Sequence, residues 1–334
     1  MMDFSPAESQ QAVASLAGQV LGGPDPWTHL AQVGLLSLGG DGVGLPELTV
    51  LLTEIGRHAA PDSLKALATL MTGALPVVRW GSGELKQAVL PGVASGELIL
   101  TAAIREPSEP APADPATTVT DGRITGTKVG VLYAEQSHLI LVPASSGIAL
   151  VDPRGEGVGL TRTPSSTGQP EYTLRLDHAP VGGVLGPAEC LRDLYQLAEA
   201  GACALADGAV AAALALTRDH VAARKQFGRP LAEFQAVSQQ IADVYIAART
   251  LHLATASACW RLAEGRDAAG DLDLAAYWCT EHAPRSVRTC HHLHGGLGMD
   301  VTYPLHRYSS LVSDLIRFLG GADYRLERLA CSSS

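Results

Sequence analysis

The sequence predicts an α+β chain in three successive parts: an N-terminal helical domain (1–96), a middle antiparallel β-domain (97–186) and a C-terminal four-helix bundle (187–334). Three observations carry this expectation. Hydrophobic residues make up 46% of the chain and aromatics only 5%, so the core is built from Ala, Leu and Val, a blend that favours close-packed helices. Short β-branched runs punctuated by Gly, Pro, Asp and Ser are confined to the middle of the chain. Long segments of helical period return after Pro187. At roughly 150 residues per domain, the 334 residues fit about two domains or one composite.

Taken in order, Ser5-Pro6-Ala7-Glu8 offers an N-cap Ser, Pro at N1 and Glu at N3, opening a helix that runs to Leu21. Further helices are expected at 26–34, 46–58, 63–75 and 83–93, separated by Gly- and Pro-bearing turns. Strands are expected at 98–104, 117–120, 123–131, 138–142, 147–151 and 172–176, with Asp121-Gly122 as a tight hairpin. Helices then occupy 189–222, 231–264, 271–292 and 303–319, with a turn at 265–270. Val237, Ile241, Val244, Tyr245 and Ala248 form the apolar stripe of a bundle helix. No βαβ alternation and no GxGxxG after a strand occurs, which removes a Rossmann reading.

Charge and composition narrow the function. The formal charge is −10 and no Lys/Arg cluster exists, so a nucleic-acid partner is not expected. The longest apolar run, 209–216, falls far short of the roughly 20 residues a bilayer demands, so no membrane span is expected. The first 11 residues carry Asp3 and Glu8 and no basic stretch, unlike a signal peptide. Cys190, Cys203, Cys259, Cys279, Cys290 and Cys331 show no CxxC pairing, the pattern of reduced, buried thiols in a cytoplasmic protein.

Two segments carry chemistry. Arg224-Lys225-Gln226-Phe227-Gly228-Arg229-Pro230, followed by Phe234-Gln235, joins a helix end, a Gly-Pro turn and a new helix start. Such a corner is either a receptor for a phosphate-bearing ligand or an ordinary helix–turn–helix corner, and spacing alone weighs the two equally. His291-His292-Leu293-His294-Gly295-Gly296-Leu297-Gly298 places glycines where a backbone can approach a ligand closely.

Together the two segments resemble the acyl-CoA dehydrogenase family, the first its R-x-Q-F-G-x-P…F-Q motif and the second its Q-x-x-G-G-x-G motif. The likeness extends to 3–11, to the Gly-rich turn 39–44 with the helix through Arg57, and to 90–97. The resemblance implies an FAD shared between subunits, with the isoalloxazine in one subunit's β-domain and the pyrophosphate and adenosine on the neighbour's motifs. It assigns cofactor binding to Arg224, Gln226, Phe227, Gly228, Phe234, Gln235, Gly295, Gly296 and Gly298, with His292 in the place of the family's Gln. A Glu base removes the α-proton of an acyl-CoA thioester while the β-hydride leaves to the flavin.

Several positions depart from the family. Leu319-Gly320-Gly321-Ala322 replaces its Tyr-Glu-Gly-Thr, so Gly320 stands where the base would be. The alternative base position, on the long helix before the Arg motif, falls at Ala198, with Glu199 beside it but about 100° around the helix. The plain reading of Glu199 is a solvated or salt-bridged surface residue. Arg105-Glu106-Pro107-Ser108-Glu109-Pro110 lacks the Thr and Gly-Ser of the flavin loop, and Gly130 and Leu132 replace the strand's Trp and Thr.

This pattern is similar to the base-lacking subunit of heteromeric bacterial steroid acyl-CoA dehydrogenases. It implies a Glu-bearing homologous partner in a heterotetramer with two of each chain, a cholesterol-derived side-chain CoA thioester as substrate, and an electron-transfer flavoprotein as acceptor. No catalytic residue is then expected in this chain. A self-sufficient homomer using Glu199 and a non-catalytic stabilising subunit are the alternatives. The three clustered histidines lack an HExxH or Cys/His pattern, so no metal is expected. Tyr303-Pro304, Leu305, His306, Arg307 and Tyr308 read mainly as packing, and Cys259, Cys279 and Cys290 as core thiols.

Overall fold

The computed structural model describes residues 7–40, 42–187 and 189–332. Within these, the chain divides into two compact units, one of residues 7–51 and 61–201, the other of 52–60 and 202–332. Ser5 and Pro6 of the predicted opening cap lie outside the described residues, as does Asp41 of the Gly-rich turn.

In the first unit, α1 (Glu8–Val20) begins with the Ala7 N–H donating to Gln10 Oε1 at 2.8 Å, so Gln10 closes the helix start. Pro at N1 and the Asp25 carboxylate, accepting from Thr28 N–H at 3.3 Å, start α2 (Pro26–Gln32). Helix α3 (Leu45–His58) continues from this unit into the other. The helix expected at 63–75 is instead α4 (Ser63–Ala66), a π-helical stretch Leu67–Ala74 and α5 (Leu75–Trp80). Pro76 lacks an N–H and crowds the carbonyl four residues back, and the wider π turn ahead of it accommodates both. Ser82 Oγ accepts from Leu85 N–H at 3.1 Å to open α6 (Gly83–Ala94).

Two four-stranded sheets follow. One has the order β1 (Leu100–Ala102), β4 (Leu139–Ala144), β5 (Gly147–Val151) and β8 (Gly183–Leu185). The other has the order β2 (Thr118–Thr120), β3 (Arg123–Leu132), β7 (Glu171–Pro180) and β6 (Val158–Thr163). Ile124, Val131, Ile140, Val142, Ala149, Val151, Tyr172 and Leu174 form their common core. Asp121 and Gly122, both at positive φ, make the expected two-residue hairpin between β2 and β3. The fully antiparallel expectation is corrected, because β1 pairs with β4 in parallel. Strand β6 was not foreseen: its polar VGLTRT sequence lies at a sheet edge and is half exposed.

The second unit is helical. Its long α7 (Glu189–Ala223), which starts in the first unit, is long and apolar enough to cross a bilayer, yet 72% of its most apolar window is buried inside the protein. That is the signature of a core helix. Gly208 lets α7 meet the 52–60 segment, since a Cβ there would fall 1.9 Å from the Thr53 carbonyl oxygen. The bundle continues through α8 (Gln235–Ala263), α9 (Ala269–His294), α10 (Leu305–Phe318) and the unforeseen α11 (Ala322–Ser332).

Helix α8 starts four residues later than expected, because a 3₁₀ turn takes Leu231–Glu233. Its buried face carries Val244, Ala248 and Leu251, whereas Tyr245 is 59% exposed and leaves the expected stripe. One residue is about 100° of helix, and that rotation carries Tyr245 off the core face. Five cysteines are buried thiols, but Cys331 on the terminal helix is exposed, correcting the expectation for all six.

Candidate functional site

The last turn of α7 ends with the Arg224 N–H donating to the His220 carbonyl at 2.8 Å, and the Leu231 N–H donates to the Arg224 carbonyl at 2.8 Å to close a corner. Between them β9 (Lys225–Gln226) and β10 (Arg229–Pro230) form a minimal hairpin over Phe227 and Gly228. Both turn residues have positive φ, 53° and 81°, a pairing that Gly228 adopts freely and Phe227 does not. Phe227 is also 92% exposed. Its ring meets Phe234 edge-on, with centroids 6.2 Å apart, and is otherwise solvated, which makes it a candidate contact for something outside its own chain. The Arg229 guanidinium lies 4.1 Å over the Phe234 ring, and Ser238 Oγ donates to the Ala232 carbonyl at 2.8 Å, pinning the start of α8. Arg224, Gln226 and Gln235 are exposed on this corner, and Phe234 is half-buried.

The second segment ends α9. His292 is exposed on its last turn. Gly295 has φ 59°, and an added Cβ at Gly295 or Gly296 would meet open space, so the turn is accessible from outside. Gly298 differs: it is buried, and a Cβ there would press on the His291 carbonyl oxygen and the His294 Cβ, both at 3.1 Å. Its place is in the packing behind the turn. Beyond it, Met299 is 82% and Val301 78% exposed.

The remaining imidazoles face inward. His294 is buried, with Nδ1–H donating to the Cys290 carbonyl at 2.8 Å and Nε2 accepting from Tyr303 Oη–H at 3.0 Å. Its ring stacks on His220 at 4.4 Å. His291 Nε2 bonds Ser309 Oγ. Among the described residues no group of three or more His, Cys, Asp or Glu side chains is placed to hold a metal ion. The Tyr303–Tyr308 run packs as read: His306 Nδ1 bonds the Tyr303 carbonyl, Leu305 is buried, and Tyr308 Oη–H donates to the Arg57 carbonyl at 3.1 Å. His220 is the residue that sequence reasoning missed, since its partner lies 74 positions away and leaves no local pattern.

In the other unit, the strand that the resemblance assigns to the flavin ring turns Lys128 inward. Lys128 on β3 is fully buried, and its Nζ donates to Glu106 Oε1 at 2.8 Å. Glu106 also accepts from Thr117 Oγ1 at 2.7 Å, Thr117 N–H at 3.0 Å and Ala116 N–H at 2.9 Å. Burial by itself pushes this carboxyl up, but the hydrogen bonds from Lys128, Thr117 and Ala116 outweigh it and hold it at about 2. Burial lowers the Lys128 ammonium, with Glu106 opposing that shift. Gly130 sits at φ 66°, and a Cβ there would lie 3.1 Å from Arg105 Nη1, so Arg105 occupies the space above that glycine.

Neither base position of the family offers a ready carboxylate. Gly320 and Gly321, at φ 90° and 86°, form the left-handed turn between α10 and α11. Glu199 on α7 is only 5% exposed, which corrects the surface reading: its stretch of α7, from Leu197 to Val210, is almost wholly core. The residues of the corner and turn fit a phosphate-bearing, aromatic group approaching from outside: a solvated Arg224, an outward ring at Phe227 and open space over Gly295 and Gly296.

Comparison with known proteins identifies the family. Residues 17–97 match the acyl-CoA dehydrogenase N-terminal domain and residues 197–326 its C-terminal domain. The chain is 48% identical to the acyl-CoA dehydrogenase FadE28 of Mycobacterium tuberculosis (strain ATCC 25618 / H37Rv), covering 100% of this chain and 99% of that one. Among solved structures, it resembles a chain of the Tcur3481-Tcur3483 steroid ACAD G363A variant (33% identity, 97% of both chains, TM-score 0.89). It also resembles a chain of the ChsE4-ChsE5 complex from Mycobacterium tuberculosis (29% identity, 99% and 98% covered, TM-score 0.91). The chain therefore belongs to the acyl-CoA dehydrogenase family, oxidoreductases that act on CH–CH bonds with FAD as cofactor.

Proposed function

We propose that this chain is one subunit of a heteromeric acyl-CoA dehydrogenase that introduces an α,β double bond into a cholesterol-derived side-chain CoA thioester. A homologous subunit supplies the catalytic Glu, in a heterotetramer with two of each chain. The observations that carry the reading are the outward corner at Arg224–Gly228 and, separately, the left-handed glycine turn at Gly320, where the family's base would stand. The similarity to chains of two complexes, one named a steroid ACAD, supports both the heteromer and the substrate class.

FAD, when bound, supplies the acceptor for the β-hydride. Arg224 and the amides of Gln226 and Gln235 hold its pyrophosphate and adenosine end, Phe227 and Phe234 give it apolar contact, and Gly228 shapes the hairpin that presents them. Gly295 and Gly296 let the backbone close on the same end, His292 donates to it, and Gly298 fixes the turn from behind. The α-proton goes to the partner's carboxylate, so this chain contributes position without a base.

An electron-transfer flavoprotein reoxidises the pair, in the cytoplasm. The three segments 1–96, 97–186 and 187–334 act as the helical, β and bundle domains of the subunit.

Co-purification with a homologous Glu-bearing subunit tests the reading. One FAD per pair of unlike chains and no turnover by this chain alone are expected. A chain that oxidises acyl-CoA by itself with full FAD overturns it and favours the Glu199 homomer, in which Glu199→Gln abolishes activity. Unchanged flavin content and turnover in an Arg224→Ala complex would leave only a stabilising role.

A further inference from the structure

We propose that His220, His294 and Tyr303 form a joint that holds the Arg224 corner and the Gly295–Gly296 turn in register, and that acidification loosens this joint and releases FAD. The inference rests on reading those two segments as the cofactor's phosphate and adenosine site.

The joint is built from three parts of the chain. His220 carries the corner directly, because its carbonyl accepts the Arg224 N–H at 2.8 Å, while its ring stacks on His294 with an interplanar angle of 19°. His294 immediately precedes Gly295 and is buried behind the turn. A carbonyl can only accept, so the bond to Cys290 O places the proton on Nδ1 and leaves Nε2 to accept from Tyr303. Tyr303 closes the far side: its N–H donates to the Asp300 carbonyl at 3.0 Å, and the Asp300 N–H to the Leu297 carbonyl at 3.1 Å. A Cβ added at Gly298 would fall 3.1 Å from the His294 Cβ, so a glycine there lets the chain after the turn pass close to this residue. One imidazole thus bonds the residues before and after the turn, and stacks on the residue from which the Arg224 corner hangs.

The charges around the stack decide its response to pH. On α7 it faces Asp219, His220 and Arg224, on α9 Cys290 and His291, and from the following loop Tyr303. Burial pushes His294 below the ordinary imidazole value of 6.5, the Cys290 carbonyl opposes this, and His220 and His291 reinforce it. Burial and then Arg224 push His220 the same way. Both rings are therefore neutral in the intact joint above 6.5, and the joint weakens as pH falls below that value through the lowered ones. A second proton would set two cations face to face at 4.4 Å beside Arg224, a repulsion that stacking cannot offset. Tyr303 does not titrate in this window, since burial and Asp219 push its phenol up.

FAD titrated into the stripped full-length protein, in the assembly in which it purifies, tests the joint by flavin fluorescence. Wild type should lose affinity about tenfold between about pH 7.5 and about pH 5.5. His220→Phe keeps a ring against His294 but takes no proton, and a charged His294 is attracted to its face, so the loss should shrink to below about threefold. His220→Ala removes the ring and should bind weakly at both pH values. A His220→Phe profile that follows wild type overturns the joint, and so does a His220→Ala affinity equal to wild type at both pH values. Should the Ala variant fail to fold, the Phe profile alone decides. Arg224→Ala separates the two readings: if it binds FAD as tightly as wild type, the site assignment itself fails, whereas weakened binding with a flat wild-type pH profile sinks only the joint.

Discussion

At the corner between α7 and α8, Arg224, Gln226 and Phe227 stand exposed, whereas Lys128 of β3 and Glu106 of the 105–110 loop are turned in. Phe227 is almost fully solvated on a strained hairpin, and Gly295 and Gly296 open onto free space. Buried Lys128, by contrast, donates to Glu106, which also accepts from Ala116 and Thr117, and Arg105 fills the space over Gly130. A group held outward at a cost in strain is available to a ligand or a neighbour. A buried group whose recorded hydrogen bonds all go to its own chain serves the fold. On the proposed function, the outward corner is this chain's share of the cofactor site, and the Lys128–Glu106 pair serves its own fold.

The largest effect that can break this comparison lies in the β-domain. Lys128→Met removes one partner of a fully buried ion pair and should destabilise the chain by about 3–5 kcal/mol, read as a lowered urea midpoint. A loss below about 1 kcal/mol would mean the pair does not serve the fold. Glu106 has a pH signature of the same origin. Its carboxyl is held near 2 against an ordinary 4.5, so its contribution is complete above 4.5 and is lost as pH falls from 4.5 toward 2. Acid titration of stability should show that loss in wild type and a shallower one in the Lys128 variant.

At the outward corner the expected order of effects is reversed. Arg224→Ala should leave stability nearly unchanged but weaken FAD binding by about 2–3 kcal/mol, roughly 30- to 150-fold in Kd, the worth of a charge-assisted hydrogen bond to phosphate. Phe227→Ala should change the melting free energy of the isolated chain by no more than about 0.5 kcal/mol, because the ring touches so little of its own fold. Its effect should appear in subunit association measured by sedimentation. If Phe227→Ala instead destabilised the chain strongly and left assembly intact, the contrast between the two regions would collapse.

Much of this was legible in the residues. Asp121-Gly122 announced its hairpin because only residues tolerant of positive φ fit a two-residue turn. The RKQFGRP corner and the Gly-Gly turn were visible as motifs, since short-range backbone geometry dictates their composition. Strand β6 was not, because an edge strand with one paired side carries no strong apolar alternation. Helix α11 was missed as well: its register is set by Arg325, which is buried and donates to the Leu319 carbonyl at 2.7 Å, and by Arg328, whose Nε reaches Asp273 at 2.7 Å. Tyr245 was placed on the wrong face because apolar spacing does not say which apolar residue a neighbouring helix will cover. Glu199 looked like a surface residue because a charged side chain is rarely buried, and only the packing of α7 shows that this one is.

By itself the sequence determined the order of helical, β and helical segments, the two motifs that carry the family resemblance, and the absence of a carboxylate at Gly320. These are local properties: period, turn chemistry and residue identity are written within a few positions of one another. Only the tertiary structure decided which of those motif residues face outward and which close on themselves, and that His220 and His294 meet. Burial and pairing depend on partners far apart in the chain, 74 positions for His220 and His294 and 251 for Tyr308 and Arg57, and the free energy of such contacts belongs to the folded arrangement and leaves no periodic trace in the chain.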